Sequence, residues 1–248
     1  MIIYKRLLGF LISFSLGALL LSAYYFPGKI LYFIIFSVLL LLFYFWSIKN
    51  RFVAYHLLIK YFLIILIFLL SIWLFFIVID FLFIKYIVVL LVFVYLIFVL
   101  DSFFKKVYLN EDISQALLIY IDLISFWSIT YFLFYSLVLF RLGILITSLM
   151  LLVSIISLTA IRFYWQEIDF KRNILYLFIF CIVLVEIYII TSFLALNFYS
   201  SAFVLWLWYL LLTDFFVDKI KDEFIWSKKR KLIFFVILLF IFYLISVK

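Results

Sequence analysis

The chain has 248 residues, of which 73% are hydrophobic and 13% are charged, and its formal net charge is +8. Soluble domains are about 45–50% apolar and about 25% charged, so this composition excludes a soluble globular domain. With one cysteine and one histidine, the chain cannot form an intramolecular disulfide or a site that needs two imidazoles. The composition instead predicts a helical membrane protein.

Nine runs of the sequence are long and apolar enough to cross a bilayer, since a spanning helix needs about 20 mostly apolar residues. The runs are apolar on every face, which favours helices over strands. We therefore predict an all-α, polytopic transmembrane bundle of about nine helices, forming a single membrane domain. The predicted spans are 7–26, 30–48, 57–79, 81–100, 116–140, 142–161, 174–194, 196–213 and 232–247.

The distribution of Lys and Arg predicts the orientation of these spans. We place the N-terminus on one side together with the loops 2–3, 4–5, 6–7 and 8–9, each named by the two spans that it joins. That side then holds 16 of the 20 basic residues. By the positive-inside rule, the N-terminus is cytoplasmic and the C-terminus is outside. The basic charge is thus explained by topology, so no nucleic-acid binding is predicted. We expect the plasma membrane of a bacterium, with anionic lipid headgroups as partners on the cytoplasmic side.

Two acidic residues lie inside predicted spans and are the candidate polar site. Glu186 lies well inside the seventh span, where an ionised carboxylate costs about 3 kcal/mol even on lenient insertion scales. It is either a proton- or ligand-binding carboxyl that faces the bundle interior or a neutral carboxyl that donates one hydrogen bond between helices. Asp122 lies about six residues into the fifth span. It either belongs to a site or is an interfacial acid that reaches the interface or pairs with a basic loop residue.

The segment 214–226 carries a second pattern of acids. Asp214, Asp218 and Asp222 recur every four residues, so a helix places them on one face, opposite an apolar face. This pattern predicts an amphipathic helix in the cytoplasmic headgroup layer. The residues that would then face the lipid headgroups are Trp226, Lys228, Lys229, Arg230 and Lys231.

The same three aspartates have an alternative interpretation as ligands of Mg²⁺ and a diphosphate, because carboxylate oxygens suit that ion. Nine spans with cytoplasmic aspartates resemble the intramembrane aromatic prenyltransferases, whose two motifs lie in the 2–3 and 6–7 loops. Here residues 49–56 of the 2–3 loop contain no acid, and the 6–7 loop offers only Glu167 and Asp169. The interfacial helix is therefore favoured, and no metal or other cofactor is predicted.

A second resemblance concerns the C-terminal third of the chain. This part of the chain resembles uncharacterised multi-pass proteins of small-genome bacteria. The features that carry the resemblance are Glu186, the segment 192–194, Trp206 with Trp208, and the basic cluster 228–231. The resemblance implies a membrane location and no known activity.

The best helix-packing face in the sequence is a stripe of small residues, Gly9, Ser13 and Gly17, on the first predicted helix. Small residues let transmembrane helices approach closely. The stripe therefore packs either against another helix of the same chain or against a second copy, as a homo-oligomer.

No catalytic constellation accompanies these features. The sequence has no HExxH zinc motif and no P-loop or GxGxxG. We predict a non-enzymatic scaffold or assembly component of the bilayer, with a membrane-protein partner or a second copy. The alternative is a transporter or an intramembrane lipid- or prenyl-processing enzyme centred on Glu186, with Asp122.

Overall fold

The computed structural model describes residues 2–48, 55–79, 82–109, 115–166, 168–169, 172–194 and 196–220. Within them, eight α-helices are each long and apolar enough to cross a membrane, which confirms the predicted all-α class and is compatible with a multi-pass membrane protein. The helices are α1 (Ile2–Tyr25), α2 (Ile30–Ile48), α3 (Tyr55–Val78), α4 (Leu82–Leu109), α5 (Gln115–Leu139), α6 (Ile144–Trp165), α7 (Ile174–Phe193) and α8 (Phe198–Ile220). The predicted ninth span, 232–247, and Trp226, Lys228, Lys229, Arg230 and Lys231 lie outside the described residues.

Three helices continue beyond the ends of their predicted spans. α4 ends at Leu109 instead of 100, α6 at Trp165 instead of 161, and α8 at Ile220 instead of 213. Hydropathy marks only the apolar part of a helix, whereas the backbone hydrogen bonds of a helix form equally well through polar residues. The predicted interfacial helix consequently begins inside α8, and its part from 221 to 226 lies outside the described residues.

The chain divides into two compact units, residues 1–121 and 122–248, with the boundary inside α5. In the first unit, α1 packs against α2 and α4. A Cβ added at Gly9 would lie 3.4 Å from Tyr44 Oη, and one added at Gly17 would lie 3.7 Å from Phe93 Cβ. The small-residue stripe is therefore used inside the first unit, where it brings α1 close to its neighbours.

Charged side chains join α1 to α4 near one end of the first unit. Arg6 Nε lies 2.7 Å from Asp101 Oδ1, and Lys105 Nζ lies 3.3 Å from Asp101 Oδ2. The side chains of Arg6 and Lys105 are 52% and 40% exposed. These are surface ion pairs, which contribute at most about 1 kcal/mol each.

In the second unit, α7 packs against both α6 and α8. Aromatic contacts connect α5 to α8. The ring of Phe126 stacks on that of Tyr209 at a centroid distance of 3.8 Å, and Trp206 Nε1 donates to the Leu123 carbonyl at 3.0 Å. These contacts fix the register of the two helices and place Tyr209 beside Asp122, one turn before Phe126.

Candidate functional site

A buried ionic network lies inside the second unit and consists of Asp122, Arg162, Tyr209 and Asp214. Arg162 Nη1 donates to Asp122 Oδ2 at 3.0 Å, and Nη2 donates to Asp214 Oδ1 at 3.1 Å. The Tyr209 hydroxyl donates to Asp122 Oδ1 at 2.8 Å. Both carboxylate oxygens of Asp122 are thus hydrogen-bonded. We call this group the Arg162 network.

The network has a buried part and an exposed part. The side chains of Asp122 and Arg162 are 1% and 2% exposed, whereas that of Asp214 is 64% exposed. Arg162 lies in the last turn of α6, where the negative end of the helix dipole favours a cation. The guanidinium therefore connects the Asp122 carboxylate, buried among the helices of the second unit, to the exposed Asp214 carboxylate.

One nitrogen of the Arg162 guanidinium has no hydrogen-bond partner among the described residues. This atom, Nε, is buried. A buried donor without a partner costs about 1–3 kcal/mol, so such atoms in native proteins often bind water. The network also contains two carboxylates and one guanidinium, which disfavours a further anion beside it.

The two predicted site residues occupy different surroundings. Asp122 is buried and paired with a basic residue, and that residue belongs to a helix instead of a loop. Glu186 is exposed, contrary to the expected interior position, and it makes no hydrogen bond or ion pair within the described ranges. The reason is the register of α7, whose buried face is formed by Leu177, Phe180, Cys181, Leu184, Tyr188 and Thr191.

The candidate metal ligands are only partly described. The Asp214 carboxylate is directed to Arg162, a partner that competes with any cation. The side chain of Asp218 and all of Asp222 lie outside the described part of the chain. The shared face of the three aspartates therefore stays a prediction.

Sequence reasoning missed Arg162 and Tyr209. The predicted sixth span ends at 161, so Arg162 falls just outside it, whereas α6 continues to Trp165. The signal that could have placed it inside the helix is the run Phe163, Tyr164 and Trp165. Tyr and Trp are enriched at membrane interfaces, so a residue that precedes such a run lies on the membrane side of it.

No protein-family model, curated protein or solved structure matches this chain.

Proposed function

We propose that this protein is a non-enzymatic scaffold of a bacterial plasma membrane that self-associates through the exposed face of α7. The observation that carries the proposal is the exposure of Glu186 on an apolar helix. A carboxyl group exposed to hydrocarbon costs about 3 kcal/mol, so a surface that presents one is incomplete without a partner.

The surface in question is a single stripe along the helix. Six exposed residues recur at spacings of three and four, as expected for one helical face. They are Leu175, Phe178, Ile182, Glu186, Ile190 and Phe193, and we call them the α7 face. Glu186 lies seven residues before the end of α7, which is about 10 Å at 1.5 Å per residue. It is therefore too deep for its short side chain to reach the interface.

A second copy of the chain is the occupant that this face favours. A twofold axis along the membrane normal places the same residue of both copies at the same depth. Two Glu186 side chains then meet without any special register, and one carboxyl can donate a hydrogen bond to the other. The flanking Ile182 and Ile190 are exposed and supply apolar surface for the contact.

Glu186→Leu is expected to weaken association, whereas Glu186→Gln is expected to retain it, because the amide still donates and accepts. Hydrogen bonds between transmembrane helices contribute about 0.6–2 kcal/mol, so the dimer dissociation constant should rise about 3- to 30-fold in the leucine variant. Fluorescence energy transfer between labelled copies in liposomes, over a series of protein-to-lipid ratios, measures this constant.

Ile182→Leu is the matched control, because it changes the same face by one substitution and keeps the carboxyl. Its dissociation constant should stay close to that of the unchanged chain.

Cross-linking tests the same face independently. In a Cys181→Ala background, oxidation should cross-link Ile190→Cys between copies but not Ile156→Cys, which is exposed on α6. A chain that remains monomeric at every ratio, or that pairs equally well as Glu186→Leu, contradicts the proposal.

A further inference from the structure

Most described serine and threonine hydroxyls donate to a backbone carbonyl of their own helix, and a few do not. In an apolar helix the hydroxyl usually donates to the carbonyl three or four residues earlier. Such bonds are formed by Ser13, Ser15, Ser22, Ser37, Ser47, Ser154, Ser157, Thr191 and Ser192, among others. The hydroxyl oxygens of Ser125, Ser128, Ser136, Ser148 and Thr159 are buried and have no hydrogen-bond partner in the described part of the chain.

Three of these hydroxyls, those of Ser125, Ser128 and Thr159, lie within six residues of Asp122 or Arg162 along their helices. Ser125 follows Asp122 by three residues on α5, and Ser128 follows by three more. Thr159 precedes Arg162 by three residues on α6. Residues three apart on a helix are neighbours on one face, with Cβ atoms about 5–6 Å apart. The three hydroxyls therefore continue the row of buried polar groups from the ion pair along α5 and α6, inside the second unit.

We propose that water molecules occupy the interior of the second unit beside the Asp122–Arg162 pair and connect it with the aqueous surface at Asp214. A buried water makes about three hydrogen bonds to polar groups that otherwise have no partner. Suitable groups are present in Arg162 Nε, the hydroxyls of Ser125 and Thr159, and Gln166 Oε1, which is also buried without a partner.

Water fits these groups better than an ion does. The unused atoms include a donor, an acceptor and hydroxyls that can act as either, and water can serve all three. The two carboxylates disfavour an anion, and Arg162 already neutralises the buried one. The exposed Asp214 gives the water a polar route to the surface, so a carboxylate inside the predicted membrane region gains contact with the aqueous phase.

Cysteine substitution tests whether water reaches these positions. A thiol reacts as its thiolate, which forms far more readily in water than in an apolar interior. Single variants Ser125→Cys, Ser128→Cys and Thr159→Cys are prepared in a Cys181→Ala background and embedded in lipid nanodiscs, which leave both faces accessible. Modification by 2-aminoethyl methanethiosulfonate is followed by mass spectrometry.

Thr130→Cys is the matched control. Thr130 is fully buried on the same helix and only two residues from Ser128, but its hydroxyl donates to the Trp127 carbonyl. We expect the three test positions to react at least about tenfold faster than Thr130→Cys. Variants are compared only if their thermal transition matches that of the background chain. Equal, slow modification at all four positions overturns the proposal.

A measurement on the unsubstituted chain gives an independent answer. In protein labelled with ¹⁵N-arginine, the Nε–H signal of Arg162 is identified by its absence from the Arg162→Lys variant. After transfer into deuterated buffer, water access predicts that this signal disappears within the dead time of the experiment. A signal that survives for hours, as a dry interior requires, overturns the proposal even if a cysteine variant fails to fold.

Discussion

Arg162→Met is expected to lower the free energy of unfolding by about 3–5 kcal/mol, because it leaves a buried carboxylate without its cation. Methionine fills a similar volume and cannot donate to Asp122, which is 1% exposed. Asp214 also loses its partner, but its exposed side chain can be solvated, so its contribution is smaller. Equilibrium unfolding in mixed micelles of increasing SDS content measures the loss.

The double variant Asp122→Asn with Arg162→Met distinguishes a lost ion pair from a general packing defect. Replacing both partners of a buried pair is often close to neutral, because no charge then remains to be desolvated. Tyr209 can still donate to the amide oxygen at position 122. We therefore expect the double variant to regain most of the stability that Arg162→Met loses. Losses that add, as for independent sites, contradict this account of the network.

Arg6→Met is the control for the removal of a cation in general. Its partner Asp101 also faces Lys105, and the Arg6 side chain is 52% exposed. Exposed ion pairs contribute about 0–1 kcal/mol, so this substitution should cost far less than Arg162→Met. Similar losses at the two arginines would mean that burial does not decide the effect.

The comparison between Arg6 and Arg162 also shows what the sequence could and could not predict. The eight described spans follow from hydropathy, because about 20 consecutive apolar residues admit few alternatives. Hydropathy treats both arginines alike, as charges beside a span. Whether a charge is solvated or buried depends on which helices surround it, and the acids that surround Arg162 are 40 and 52 residues away in sequence.

Glu186 illustrates a second limit. The sequence predicts its position along an apolar helix, but it does not predict which side of the helix carries the carboxyl. α7 is apolar on both faces, with Leu184 buried and Ile182 exposed, so the period of apolar residues carries no information on orientation. The cost of exposing a carboxyl to hydrocarbon favours a position in the bundle interior. A contact with another molecule removes the same cost.

Gly9→Leu is expected to destabilise the first unit by about 1–3 kcal/mol, because its side chain has no room between α1, α2 and α4. A Cβ at this position already lies 3.4 Å from Tyr44 Oη and 3.7 Å from Leu100 Cβ. The remaining carbons would push the Tyr44 hydroxyl away from the Leu100 carbonyl, to which it donates at 3.0 Å. Lost packing and a lost buried hydrogen bond then act together.

Gly28→Leu is the control, since a Cβ there has nothing within 4 Å and no described glycine has a positive φ that a side chain would strain. The two variants change the same residue type in the same way, so a difference in thermal transition reports the packing of α1 alone. We expect Gly9→Leu to lower the thermal transition temperature clearly, and Gly28→Leu to leave it almost unchanged. If Gly9→Leu instead left stability unchanged and lowered association between copies in liposomes, the stripe would be a contact between chains, and the packing of α1 inside the first unit would be wrong.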